Sequence, residues 1–358
     1  MPASVPVNLH EYEPLARARV SAMAWDYLAG GSGDERTLAW NRERLDATRL
    51  YPRVLRDVSE VDTRLTLLGL ELPFPVLLAP TGFHRLFHPE GELATARGAG
   101  AAGALYTMST VATTSLEDIA AVATAPLWFQ MYVQRDRGFT RELVRRAESA
   151  GCHALMFTVD TPVLGARDRE QRNRLELPPG LELANLRALG GASEGGTTFA
   201  HGARNPFLDP SLTWDVLDWL VGETRLPVIV KGVLRHDDAQ RALERGAAAI
   251  VVSNHGGRNL DTVPATIDVL PRIAATVAGR VPLLLDGGVR RGVDVVKALA
   301  LGASAVMIGR PYLWGLAAAG ADGVTRVVRL LVGELEMAMA QCGAASLGEL
   351  ERDLVFDE

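Results

Sequence analysis

The chain of 358 residues is 48% hydrophobic and 22% charged with a formal net charge of −6, the composition of a water-soluble globular protein without general attraction for polyanions. Its two cysteines exclude a disulfide framework, and no apolar run reaches the roughly 18 to 20 residues that span a bilayer. Because the start of the chain also lacks the basic and apolar regions of a secretory signal, we expect a cytoplasmic protein that binds neither nucleic acid nor membrane.

The first predicted element is a helix over residues 8–30. Asn8 is a suitable cap, apolar side chains recur near the helical period, and Gly30 and Gly31 end the pattern. A second helix and a loop are expected between residues 39 and 62. We group these elements as an N-terminal helical extension of residues 1–74.

Eight short apolar runs alternate with helix-like segments from residue 75 onwards. The runs, which indicate buried parallel strands, span residues 75–79, 104–107, 127–132, 154–158, 227–230, 249–252, 282–285 and 305–308. Helix-like segments lie between most of them, such as 91–102, 140–150, 236–246 and 293–302. This succession predicts an α/β fold, a single-domain (β/α)8 TIM barrel formed by residues 1–358, with a doubly wound sheet as the weaker alternative.

The predicted strands end on polar residues. In such a barrel the active site forms at the carboxyl ends of the strands. In strand order the ends carry Thr81; Ser109; Gln130 and Tyr132; Thr158 and Asp160; Lys231; Ser253 and His255; Asp286 to Arg290; and Gly309 with Arg310. A single polar residue of this kind commonly makes a hydrogen bond within a loop. Polar residues at all eight strand ends instead predict a functional site at the mouth of the barrel.

The segment after the sixth strand, residues 253–261, carries the clearest chemistry. His255 can exchange a proton near neutral pH, and Arg258 can bind a carboxylate through two parallel hydrogen bonds. Gly256 and Gly257 allow a sharp turn between them. The pair predicts a small substrate with a carboxylate, although a strand cap and a solvated charge are the competing structural interpretation.

The last two strand ends predict a phosphate site. Glycines accompany Arg290 and Arg310 just before helices, where backbone amides and guanidinium groups can surround a phosphate. Polar side chains on the neighbouring strands can hydrogen-bond a flat heterocycle. Lys231, one of only two lysines among 37 basic residues, would place positive charge where a reduced ring gathers negative charge. These features favour FMN as the cofactor, without a metal.

With these motifs the chain resembles the FMN-dependent α-hydroxy acid oxidase and dehydrogenase family, which includes glycolate oxidase, lactate oxidase and mandelate dehydrogenase. The likeness extends from about residue 8 to about residue 345, and its most specific segments are 158–162, 253–261, 286–292 and 297–303. It implies that His255 is the catalytic base and Asp160 its partner. The implied substrate contacts are Tyr27, Tyr132, Arg167, His255 and Arg258. The implied FMN contacts are Ala79, Pro80, Thr81, Ser109, Gln130, Thr158, Lys231, Ser253, Asp286, Gly288, Arg290, Gly309 and Arg310.

The resemblance also implies an activity. It is the oxidation of an L-2-hydroxy acid, with a lactate-like substrate favoured, to the 2-oxo acid by a homotetramer, with oxygen as the acceptor and hydrogen peroxide as a product. A dehydrogenase with a quinone or protein acceptor, or an aromatic mandelate-type substrate, is the alternative. Val111 stands where glycolate oxidase has tryptophan and opens the pocket, whereas Gly82 stands where many oxidases have alanine and leaves the acceptor open. Residues 177–209 match the family's variable lid.

Two interpretations come from other classes of protein. A phosphate-binding barrel isomerase would share the predicted phosphate site but would have no use for Arg258 beside His255. A flavin-like absorbance spectrum of the purified protein separates this interpretation from a flavoenzyme. A flavin-binding protein without catalytic activity would also be yellow, but only an enzyme bleaches when a 2-hydroxy acid is added without oxygen.

Overall fold

The N-terminal helices differ in detail from the prediction. The computed structural model describes residues 5–189 and 208–356. A short 3-10 helix (Leu9–Glu11) precedes α1 (Tyr12–Arg17) and α2 (Ala22–Ala29), so the single helix predicted over residues 8–30 is wrong. The break falls at Ser21, whose hydroxyl accepts from the Ala24 amide and caps α2. The second predicted helix corresponds to α3, which spans Arg36–Ala47.

A β-hairpin follows within the region predicted to be a helical extension. Its strands β1 (Leu65–Leu67) and β2 (Leu70–Leu72) pair antiparallel across Leu68 and Gly69. Both turn residues have positive φ, 49° and 80°, as a two-residue type I′ turn requires. Leu67 and Leu72 pack with side chains from the barrel interior, so the hairpin covers one end of the barrel.

Eight parallel strands form a closed barrel. They are β3 (Val76–Leu78), β4 (Tyr106–Ser109), β5 (Leu127–Met131), β6 (Leu155–Thr158), β7 (Val228–Val233), β8 (Ala249–Val252), β9 (Leu283–Leu285) and β10 (Ala305–Ile308). Strands adjacent in sequence are adjacent in space, and β10 pairs with β3 to close the sheet. The predicted TIM barrel is confirmed, because closure excludes a doubly wound sheet. Ser109 is the last residue of β4, which begins two residues later than predicted.

Helices surround the barrel and bury its outer face. They are α4 (Gly91–Ala102), α5 (Leu116–Val122), α6 (Arg137–Ser149), α7 (Asp168–Arg172), α8 (Asp215–Glu223), α9 (His236–Glu244), α10 (Thr266–Val277), α11 (Gly292–Ala300) and α12 (Arg310–Gln341). Non-helical backbone at Ala319 and Gly320 interrupts α12. Further 3-10 helices span His84–Leu86, Ala184–Leu189, Leu347–Glu349 and Arg352–Leu354. No helix in the described ranges is long and apolar enough to cross a membrane.

The predicted lid lies only partly within the described residues. Leu183 and Leu186 are fully buried in the main core, so this part of the segment packs against the barrel and its helices. Leu208 contacts the cleft that is described below. Residues 190–207 fall outside the described residues, and the lid remains a prediction.

Candidate active site

The carboxyl ends of the barrel strands open into one cleft. Its walls include every substrate and cofactor residue that the sequence predicts except Asp160 and Ser253. Both exceptions lie directly behind lining residues, since Asp160 contacts His255 and Ser253 contacts Lys231. The structure thus brings the predicted set together at one mouth. In the described part of the chain, no group of three or more His, Cys, Asp and Glu side chains is arranged to hold a metal ion.

His255 follows β8 and pairs with Asp160, which follows β6. Nδ1 of His255 lies 2.9 Å from Oδ1 of Asp160. Because a carboxylate only accepts hydrogen bonds, Nδ1 donates and Nε2 is left as the nitrogen that can take up a proton. Burial lowers the pKa of His255 from its usual value, against the opposing effect of Asp160. The imidazole is therefore neutral at neutral pH and available as a base.

Asp160 is held in its ionised form. Burial acts to raise its pKa, but His255, Lys231 and the hydrogen bonds of the carboxylate outweigh burial and lower the pKa. Thr161 donates to Oδ1 over 3.0 Å. The other carboxylate oxygen of Asp160, Oδ2, is buried and has no hydrogen-bond partner among the described residues. An anion in this position can stabilise the imidazolium that forms when His255 accepts a proton.

Arg258 is held in a fixed orientation beside the base. Its Nη1 donates to the carbonyl oxygens of Tyr27 (2.6 Å) and Gly30 (3.0 Å), and its Nη2 donates to Oε1 of Glu170 (2.8 Å). Burial lowers the pKa of Arg258, and the neighbouring Arg167 adds to this effect. These contacts leave Nε–H and one hydrogen of Nη2 for a substrate carboxylate.

Arg167 and Glu170 complete the anion-binding wall. Nε of Arg167 donates to the Arg258 carbonyl over 3.1 Å, and its Nη1 lies 3.5 Å from Oε2 of Glu170. The sequence analysis missed Glu170. Its spacing three residues after Arg167 is that of a side-chain pair on one helix face, which is the signal that could have found it.

The two predicted substrate tyrosines also line the cleft. Tyr27, on α2, packs against Phe83 with ring centroids 5.0 Å apart, and the Arg258 guanidinium lies 4.8 Å from the centroid of its ring. Tyr132 follows β5. Burial raises the pKa of both phenols, that of Tyr132 to about 12. Both hydroxyls are therefore protonated at neutral pH and can donate a hydrogen bond to an anionic substrate.

A line of hydrogen bonds crosses the ends of three neighbouring strands. Ser109 Oγ donates to Gln130 Oε1 over 3.2 Å, and Gln130 Nε2 donates to Thr158 Oγ1 over 2.9 Å. All three side chains are buried, yet they line the cleft. They form a polar floor with donors and acceptors in one row, which fits the edge of a flat heterocycle.

Lys231 continues this floor on β7. Its Nζ lies 3.0 Å from Ser253 Oγ and 3.1 Å from Asp286 Oδ2. Burial alone would lower the pKa of Lys231, but Asp286 and Asp160 raise it, so the side chain carries its charge. Oδ1 of Asp286 is buried and has no partner among the described residues. This acceptor fits the hydroxyl groups of a ribityl chain such as that of FMN.

The loop after β3 is supported from below by buried polar groups. Tyr312 donates to the Ala79 carbonyl over 2.8 Å, and Thr81 Oγ1 lies 2.7 Å from Nε2 of His84. Pro80, which lies between Ala79 and Thr81 in the sequence, lines the cleft. The sequence analysis did not single out His84 or Tyr312, because their role depends on contacts across the barrel. They hold the predicted flavin-contacting backbone in place.

Two further arginines of the cleft fit a phosphate group. Arg290 lies over the Trp314 ring, 4.7 Å from its centroid, and Arg310 donates to the carbonyls of Leu28, Gly30 and Gly256. Burial lowers the pKa of Arg290 to about 10 and that of Arg310 to about 9. Within residues 5–189 and 208–356, neither forms an ion pair with a carboxylate. Two partly buried cations of this kind fit a doubly charged phosphate.

Helix α3 supports both the base and the phosphate end. Asn41 and Asn254 exchange two hydrogen bonds of 2.9 and 2.7 Å through their side-chain amides. Arg42 donates to the Gly288 carbonyl over 2.7 Å. Gly288 has φ of +88°, and a Cβ there would lie 2.4 Å from the Asn41 carbonyl oxygen, so the loop and α3 touch. The sequence analysis missed both α3 residues.

Three sets of cleft residues together define a class of protein. Arg290 and Arg310 fit a phosphate, Arg258 fits a carboxylate with a base beside it, and the polar floor fits a flavin ring, as in an enzyme that oxidises a small acid on a flavin nucleotide. The chain belongs to the FMN-dependent dehydrogenase family, whose model matches residues 16–357. This match confirms both the family that the sequence resembles and FMN as the cofactor.

The chain is similar over nearly its whole length to proteins of known activity. It is 51% identical to an L-lactate oxidase of Nostoc sp. over 97% of both chains. It is 46% identical to a peroxisomal (S)-2-hydroxy-acid oxidase of Oryza sativa subsp. japonica, over 100% of this chain and 98% of the relative. A crystal structure of mandelate oxidase with (S)-4-hydroxymandelic acid superposes with a TM-score of 0.92, at 45% identity over 97% of this chain and 98% of that one.

Proposed function

We propose that this protein oxidises an L-2-hydroxy acid, with a lactate-like substrate favoured, to the corresponding 2-oxo acid. The observation that carries the proposal is the pairing of a neutral base with an anion clamp: His255 and Arg258 line the same cleft, and Asp160 is hydrogen-bonded behind the base. The Nostoc L-lactate oxidase and the rice (S)-2-hydroxy-acid oxidase support the same activity.

Each residue of the substrate wall has a distinct task in this reaction. Arg258 and Tyr27 bind the carboxylate, and Tyr132 donates a hydrogen bond to the substrate hydroxyl. His255 accepts a proton through Nε2, and Asp160 stabilises the resulting imidazolium. FMN, when bound, accepts the pair of electrons that leave the substrate.

The FMN contacts remain as the sequence predicts them. The polar floor of Ser109, Gln130 and Thr158, with Lys231 beside it, fits the ring. Asp286 fits the ribityl hydroxyls through its unpartnered oxygen. Arg290 and Arg310 fit the phosphate, together with backbone at Gly288 and Gly309.

The apolar part of the cleft lining suits a hydrocarbon side chain on the substrate. It includes Val111, Leu164, Leu175 and Leu208, which are apolar and offer no partner to a polar substituent. An aromatic substrate is the alternative, which the mandelate oxidase structures at 43 to 45% identity support. The valine side chain at Val111 takes less room than the tryptophan of glycolate oxidase, so the choice depends on the size of the pocket as a whole.

We assign oxygen as the electron acceptor and hydrogen peroxide as the second product, because the full-length relatives include oxidases. A quinone or protein acceptor is the alternative. We place the enzyme in the cytoplasm, in keeping with its two free, buried cysteines. We infer a homotetramer from the family resemblance, and light scattering of the purified protein tests it.

A panel of L- and D-2-hydroxy acids tests the activity. Oxygen uptake and peroxide formation are measured together for lactate, glycolate and mandelate, and flavin bleaching is followed in a parallel set without oxygen. We expect the fastest turnover with L-lactate and one peroxide for each oxygen consumed. Faster oxidation of the D-forms would refute the proposal. Bleaching without oxygen uptake would instead identify a dehydrogenase.

A further inference from the structure

One acidic side chain lies inside a wall that binds anions. Glu170, on α7, lines the cleft with its side chain only 7% exposed. It accepts a 2.8 Å hydrogen bond from Arg258 Nη2, and its second oxygen lies 3.5 Å from Arg167 Nη1. A buried carboxylate is costly unless it is paired, and here its pairing cations are the residues that face the substrate.

Glu170 sets the charge of this wall. The two guanidinium groups and the one carboxylate leave a net charge of +1, which matches one substrate carboxylate. Arg310 lies next to Arg258, since both donate to the Gly30 carbonyl oxygen, but the proposed function assigns Arg310 and Arg290 to the phosphate of bound FMN. Lys231 is already paired with Asp286 at 3.1 Å. With the phosphate bound, no unbalanced cation is left beside Arg258 for a second substrate carboxylate.

We propose that Glu170 is a positioning residue that restricts the substrate to 2-hydroxy acids with a single carboxylate. The inference rests on the proposed function and names its substrate class. A substrate carboxylate that binds Nε and Nη2 of Arg258 shares this guanidinium with Glu170. A second carboxylate on the same small molecule enters a cleft that contains Glu170 and is repelled by it. Glu170 also fixes the plane of Arg258, with the carbonyls of Tyr27 and Gly30 on the other side.

Binding of two anions that cannot be oxidised tests the charge effect. Propionate carries one carboxylate and malonate carries two, and neither has a 2-hydroxyl group. Calorimetric titration of the FMN-loaded enzyme is expected to show tighter binding of propionate. In Glu170→Gln, which keeps the size and one hydrogen-bond acceptor, the affinity for malonate relative to propionate should rise roughly tenfold or more. An unchanged ratio in a folded, flavin-loaded variant would overturn the proposal.

Glu35→Gln is the matched control. Glu35 pairs with Arg169, which lies on the same helix α7 as Glu170, but Glu35 does not line the cleft. The same loss of charge close to α7 should leave the ratio of malonate to propionate affinity at its native value. A rise equal to that of the Glu170 variant would assign the effect to the helix as a whole and count against the proposal.

A measurement on the native enzyme covers the case in which Glu170→Gln fails to fold. L-malate and its 4-amide have nearly the same size and differ by one negative charge. The native enzyme should oxidise the amide at least tenfold more efficiently, as judged from kcat/KM. Glu170→Asp keeps the charge and should keep this preference. Equal efficiencies in the native enzyme would overturn the proposal. If L-lactate is also not oxidised, the proposed function fails, while the calorimetric ratio still decides the role of Glu170.

Discussion

The partner of the base offers the sharpest test of the site, through Asp160→Asn. Nδ1 of His255 and Oδ1 of Asp160 are 2.9 Å apart, and proton uptake at Nε2 creates a cation at this distance from the carboxylate. At an effective dielectric constant of about 20, two unit charges about 3 Å apart attract by about 5.5 kcal/mol. Asparagine keeps an acceptor for Nδ1, and its amide nitrogen takes the place of Oδ2, which has no described partner. The fold should therefore tolerate the change.

We expect the rate of flavin bleaching by L-lactate to fall about 10²- to 10⁴-fold, which corresponds to a barrier higher by about 3 to 5 kcal/mol. Stopped-flow absorbance without oxygen measures this rate. Asp209→Asn is the control, because Asp209 is also buried but pairs with Arg137 and does not line the cleft. Its rate should stay native. A near-native bleaching rate in Asp160→Asn with normal flavin content would refute the assigned role of the pair.

The pH dependence of kcat/KM tests the same pair of residues, because the direction of its shift in Asp160→Asn can be predicted. The base acts when neutral, so kcat/KM falls as the pH drops through the pKa of His255, which burial holds below its usual value. Asp160 raises this pKa, and its removal should therefore move the acid limb to lower pH while the plateau falls. A limb that moves to higher pH would contradict the geometry.

Three further changes test other parts of the cleft. Lys231→Met leaves Asp286 as a buried, unpaired carboxylate, so the free energy of unfolding in urea should fall by about 3 to 5 kcal/mol. Spectroelectrochemical titration should also show a lower reduction potential of the flavin. An unchanged potential in the FMN-loaded variant would remove the lysine from the mechanism. Gly82→Ala places a Cβ 2.8 Å from Val111 Cγ2 and should slow turnover of L-lactate, with recovery when Val111→Ala is added. Asn41→Ala removes both hydrogen bonds to its amide partner and should cost about 1 to 3 kcal/mol in urea unfolding, whereas a loss below about 0.5 kcal/mol would mean that the pair is not needed.

The barrel was predictable because its strands are covered on both faces. Parallel strands buried on both sides appear as continuous apolar runs, and those ending at Thr158 and Ile308 were found within a residue or two of their true bounds. The hairpin at Leu65–Leu72 was missed, although its alternating leucines around Gly69 carry a hairpin signal. The N-terminal extension of residues 1–74 was predicted to contain two helices and a loop, without a hairpin.

The positions of the site residues were predictable, but their partners were not. A polar residue at the end of a strand can be recognised from the sequence alone, as Lys231 and Asp286 show. Their 3.1 Å ion pair depends on how β7 and β9 curve around the barrel, which no local pattern records. Glu170 was overlooked for a related reason. In the sequence, an acidic residue on a short helix looks like a solvated surface charge. Only the structure shows that Glu170 accepts a hydrogen bond from Arg258.

The placement of α3 explains why the N-terminal extension belongs to the site. Asn41 binds Asn254, the residue before the base, and the adjacent Arg42 binds the Gly288 carbonyl and the buried Asp294. One turn of helix thus connects the loop that carries the base to the loop that fits the phosphate. Under the proposed function, the distance between these loops sets the distance between the substrate and the flavin, and a rigid connection keeps the reacting atoms at a fixed separation. The barrel supplies the groups, and α3 fixes their spacing.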